Sequence, residues 1–89
     1  STTYTGDLTV AGWSGSAAPY SQAVTITGVL ATDTPIVDLV PSTTYATAES
    51  QIEGWANIYR AVAASNTITF YATDKPTVAL PFQAKCVRK

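Results

Sequence analysis

Trp13 and Tyr20 bracket a stretch of small residues, Ser14-Gly15-Ser16-Ala17-Ala18-Pro19, and Gln22 follows two positions on. An aromatic face on such a loop offers apolar area to the C–H groups of a sugar ring. Serine hydroxyls and a glutamine amide beside it would hydrogen-bond the sugar hydroxyls. Trp13, Tyr20 and Gln22 are therefore the candidate ligand-binding residues, for a carbohydrate. The same residues have a plainer use. Trp13 would end a strand and pack into the core, with Tyr20 paired across a hairpin.

The other reactive side chains are scattered. The chain has no histidine, so neither a Ser–His nor a Cys–His nucleophile pair can be built within it. A zinc site of cysteine and histidine is excluded for the same reason. Cys86 falls on an apolar strand face while Lys85 points the other way, so it reads as a small hydrophobe rather than a nucleophile. Asp33, Asp38 and Asp74 carry oxygen ligands suited to Ca²⁺, but no Asp-x-Asp-x-Asp run joins them, and aspartate is a common turn former. Glu49 and Glu53 stand one helical turn apart, where they would complement a helix dipole rather than act as an acid and base. These residues predict no enzyme, no catalytic or metal site and no cofactor.

Charged side chains make up 12% of the 89 residues, about half the ~25% usual for soluble domains. Fifteen threonines and seven serines take their place. A net charge of -1 with no basic cluster argues against nucleic acid as a partner. No apolar run approaches the ~18 residues of a membrane helix. Ser1-Thr2-Thr3 has neither the basic start nor the apolar stretch of a signal peptide. With one cysteine there is no disulfide within the chain, and no linker divides it, so residues 1–89 read as a single domain.

Alternation predicts strands at 7–13, where Leu8 and Val10 share a face, at 20–29 and at 36–40, the last stopped by Pro41. It returns at 66–72 and again where Val78, Leu80, Phe82, Ala84 and Cys86 share one face. Pro81 cannot donate to a ladder, which places that last strand at an edge or makes it bulged. Between 46 and 64 the period changes. Ala48, Ile52, Trp55 or Ala56, Tyr59 and Val62 recur at helical spacing, with Trp55 and Tyr59 as a packing pair and Arg60 near the negative end of the dipole. Thr44 or Thr47 would cap this helix, and Gly54 would let its backbone lie close to the sheet. The order β-β-β-α-β-β predicts an α+β fold: a small, mostly antiparallel sheet or sandwich of about five strands with one helix packed on it. The expected core is Val24, Ile26, Val37, Leu39, Ile52, Ile68, Phe70, Val78, Leu80 and Phe82.

Two groups of segments carry a resemblance. The first is Gly12-Trp13-Ser14-Gly15, Pro19-Tyr20-Ser21-Gln22-Ala23-Val24, Gly28-Val29 and Asp33-Thr34-Pro35-Ile36-Val37-Asp38. The second is Asn66-Thr67-Ile68-Thr69-Phe70-Tyr71-Ala72, Lys75-Pro76-Thr77, Leu80-Pro81 and Val87-Arg88. From Leu8 onward the chain resembles a small module at the C-terminal ends of tail-fibre and minor structural proteins of phages and prophages of Gram-positive bacteria. That resemblance implies a structural or interaction role in the virion tail, after synthesis in the host cytoplasm, with other virion proteins as partners and a place near the host-recognition tip. The alternative is a carbohydrate-binding module for bacterial cell-wall glycans. It supplies no catalytic residues. Weakly charged strand faces and edges tend to pair with other chains, so a homo-oligomer is expected, and the threefold symmetry common in fibres puts a trimer first.

Overall fold

The structure, a computed structural model, describes residues 2–88. Its elements follow one another as β1 (Thr2–Leu8), β2 (Tyr20–Thr25), β3 (Thr34–Leu39), α1 (Tyr45–Trp55), β4 (Ile58–Ala64), β5 (Thr67–Ala72) and β6 (Leu80–Val87). The strands form two antiparallel three-stranded sheets, ordered β1-β6-β3 and β2-β5-β4. The fold is α+β, with six strands and one helix among the described residues. β5 and β6 are the central strands, and their alternation follows from that position. Ile68, Phe70 and Ala72 of β5 are buried, as are Leu80, Phe82, Ala84 and Cys86 of β6. Phe70 and Phe82 meet between the sheets at a centroid distance of 4.6 Å. Each sheet therefore covers the inner face of the other, as in a sandwich.

Leu8, Trp13, Ile26 and Val29 complete the buried core, with Val24, Val37, Leu39 and Val78 half-buried against it. Of the expected core residues only Ile52 is misplaced, at 58% exposed. On α1 the inward residues are Gln51 and Gly54 instead. The Gln51 side-chain oxygen accepts a 2.7 Å hydrogen bond from the Ser42 amide, which satisfies a buried polar group and ties the β3–α1 connection to the helix. A Cβ on Gly54 would lie 3.3 Å from both Leu80 Cδ2 and Val78 Cγ1. The close approach expected of Gly54 is thus present. α1 packs on the 76–80 approach to β6, and its Trp55 stands edge-on to Phe70 of β5 at 6.4 Å.

The helix is shorter than its periodicity predicts. It stops at Trp55, where the Ala56 and Asn57 amides bond back to Ile52 and Gly54. Ile58, Tyr59 and Val62 favour a pleated surface, and residues 58–64 form β4 instead. The Thr73 amide donates to the Asn57 carbonyl at 2.9 Å, and Asn66 at φ 56° closes the hairpin to β5. Asparagine tolerates this left-handed conformation. Arg60 is consequently a strand residue, and Trp55 and Tyr59 do not stack: Tyr59 lies 6.5 Å from Tyr71. Thr44 occupies the N-cap position, but its side chain makes no capping bond, and no acid falls in the first turn. Glu49 and Glu53 therefore lie too far along α1 to complement its positive end.

Two further expectations change. β1 ends at Leu8, so Val10 lies in a turn, 51% exposed. β6 is central rather than an edge, although it contains Pro81. The Pro81 carbonyl accepts from the Val40 amide, one residue past the end of β3. In an antiparallel strand the nitrogen of the same residue faces the same neighbour. The missing donor therefore falls where β3 has already ended, and the ladder loses only a terminal bond.

Candidate functional site

Of the three residues expected to bind a ligand, Trp13 lies in the loop between β1 and β2, whereas Tyr20 and Gln22 lie in β2 itself. Trp13 is 7% exposed and belongs to the core, so its ring presents no free face. Its indole N–H is buried without a hydrogen-bond partner. Gln22 is also buried, with both ends of its amide engaged. Its side-chain oxygen accepts from the Thr9 amide at 2.9 Å, and its nitrogen donates to the Thr9 carbonyl at 3.0 Å. The amide thus stands in for a strand neighbour, and holds the 9–12 turn against β2. Ser14 and Ser21 exchange backbone bonds of 2.8 and 3.1 Å, closing the base of the loop. Tyr20 alone keeps partial exposure, with the Lys75 ammonium 5.2 Å above its ring. The structure brings Trp13, Tyr20 and Gln22 into one region, but turns two of them inward.

The most connected polar cluster was not foreseen. The Arg88 Nε donates to Asp33 Oδ1 at 3.0 Å, and its Nη2 donates to the Tyr4 hydroxyl at 2.9 Å and the Gly28 carbonyl at 2.7 Å. The Asp33 side chain is fully buried, whereas Arg88 is 38% exposed. A bond from the Leu30 amide, with Arg88 beside it, holds the Asp33 carboxyl below the usual carboxylate range, against the opposing effect of burial. Asp33 in turn keeps Arg88 strongly basic. The cluster joins β1, the 26–33 connection and the end of β6. Both Asp33 oxygens and the Nε and Nη2 of Arg88 are engaged within it, so its chemistry is that of a clasp. Burial pushes the Cys86 thiol up, away from the thiolate a nucleophile needs.

The outer face of β2-β5-β4 is weakly charged. Register sets three rows there: Ser21, Tyr71 and Arg60; Ala23, Thr69 and Val62; Thr25, Thr67 and Ala64. Arg60 carries the one charge in these nine positions and sits 5.6 Å over the Tyr71 ring. A register shift between Ile58 and Arg60 is a bulge, and it leaves Tyr59 and Arg60 both exposed. A shallow polar groove of about 270 Å³ lies elsewhere, between α1 and the 74–77 turn, with Glu53, Asn57, Asp74 and Lys75 on its walls. Asp33, Asp38 and Asp74 do not converge, and the described residues contain no cluster of three or more metal-ligating side chains. No helix among them is long and apolar enough to cross a membrane.

No protein-family model, no curated protein and no solved structure matches the chain. Its functional reading therefore rests on its own residues.

Proposed function

We propose that this chain is a structural and interaction module of a phage virion, in the tail or tail fibre, that works by packing against copies of itself and other virion proteins. The carrying observation is the outer face of β2-β5-β4, nine positions of Thr, Ser, Ala, Val and Tyr with a single charge. A face this weakly charged, on a sheet whose β4 edge pairs with no further strand among the described residues, suits burial against protein. Large apolar side chains exposed elsewhere, Ile36 at 59% and Tyr45 at 77%, support the same reading. So do the residue segments that resemble tail-fibre and minor structural proteins. The protein is made in the host cytoplasm and resides in the particle as a homo-oligomer, a trimer first. We assign it no catalysis. Glycan binding at the loop is the weaker reading, because Trp13 and Gln22 are committed to the core and to Thr9.

Density-gradient fractionation of a phage lysate from the source strain, read by peptide mass spectrometry, tests the assignment. Its peptides should band with the particles. Peptides confined to the soluble fractions would overturn it.

A further inference from the structure

Two surfaces of this molecule carry opposite charge, exposed apolar side chains and no partner. The first is the seam between the two sheets where the edge strands β3 and β4 approach. Val37, Trp55, Ile58 and Ala61 are all half-buried there, so the core reaches the surface in a groove of about 210 Å³. Tyr59 and Arg60 form its rim, both turned outward by the bulge in β4. Arg60 has no carboxylate partner among the described residues, where the ion pair is that of Arg88 with Asp33.

The second surface is the outward stripe of α1. Residues 45, 49, 52 and 53 fall on one side of the helix, opposite the buried Gln51 and Gly54. Tyr45 is 77% and Ile52 58% exposed. Glu49 and Glu53 flank them, and α1 contains no basic residue. Glu53 lies in the last turn, where the negative end of the helix dipole disfavours an acid. A cation from outside would relieve that repulsion.

We infer that these surfaces bind each other between copies: the α1 stripe of one chain seats on the β3–β4 seam of the next. Ile52 enters the groove toward Val37, Ile58 and Ala61, Tyr45 packs beside Tyr59, and Arg60 lies between Glu49 and Glu53. The occupant is a second copy of this chain, because it carries the complementary acid and apolar stripe. A contact between two different patches is head-to-tail, and it closes into a ring when the rotation allows. This inference rests on the self-associating module proposed above and adds two contact surfaces to the outer face of β2-β5-β4.

Charge reversal tests it, with light scattering to give the mass of the chain in solution. Wild type should exceed the 9.3 kDa of one chain several-fold. Arg60→Glu alone, and Glu49→Arg with Glu53→Arg, should each return the mass to one chain. All three changes together should restore the assembly. Lys85→Glu, on the outer face of the other sheet, should leave the mass as in wild type. Circular dichroism checks that each variant is folded, and because all these charges are exposed the fold should persist. A single-chain mass for wild type, an unchanged mass after either reversal, or a folded triple variant that stays monomeric would each overturn the contact. Should the wild-type chain be monomeric yet still band with phage particles, the contact fails and the virion assignment stands.

Discussion

Phe70 and Phe82, each on the central strand of its sheet, meet with ring planes inclined at 55°. Offset and tilted aromatic pairs of this kind add ~0.5–1.5 kcal/mol beyond the area they bury. Both rings are essentially inaccessible to solvent, so this contact is the pin between the sheets.

Phe82→Ala should destabilise the protein by about 3–5 kcal/mol, the usual loss for an aromatic deleted from a closed core. Urea denaturation followed by tryptophan fluorescence gives the number. A loss below ~1 kcal/mol would show that the cavity collapses or that the two sheets are not held by this pair.

Gly6→Ala should destabilise by about 1–3 kcal/mol through overpacking. Its Cβ would fall 2.7 Å from Phe82 Cζ, and a ring enclosed in the core cannot swing away. Gly54→Leu should act similarly against Leu80 and Val78. Unchanged midpoints for both variants would mean that the contacts around β6 and α1 are looser than described.

Gln22→Ala should cost about 1–3 kcal/mol, because it leaves Thr9 backbone groups without partners. Tyr20→Ala, by contrast, removes a half-exposed ring and should change stability less. If Gln22→Ala leaves the melting temperature unchanged, its amide is not bracing the turn and is free for another role.

Acid should weaken the clasp at Asp33. Its folded pKa is lowered, so its contribution is present above the unfolded value of ~3.9 and is lost as pH falls through the folded value. Wild type should therefore lose stability more steeply than Asp33→Asn as pH falls from about 5 towards 2. Denaturation midpoints across that range, equal in slope for both proteins, would contradict the clasp.

Much of this architecture is legible in the sequence where a strand is central and one face is dry. β6 alternates cleanly because Leu80, Phe82, Ala84 and Cys86 all enter the core while Gln83 and Lys85 do not. Residues 56–64 mislead because the bulge puts Tyr59 and Arg60 outward in succession, and the broken two-residue alternation imitates a helical period. Ile52 misleads for another reason: Gly54 must face the sheet, and that fixes the rotation of α1 with Gln51 inward. Trp13 reads as a ligand contact or a core residue and Gln22 as a ligand contact, and the inward direction of Gln22 depends on Thr9, whose bonds to it no residue type announces. The pairing of Asp33 with Arg88 spans 55 residues and appears only once β3 and β6 are neighbours.

The central claim is that this chain is built to be covered by other proteins in a virion tail. Immunogold electron microscopy on intact particles, with antibody raised against residues 1–89, tests it most directly. Gold clustered on tails or fibres is the predicted result. Particles free of gold, with the antigen recovered only from the soluble lysate, would contradict it.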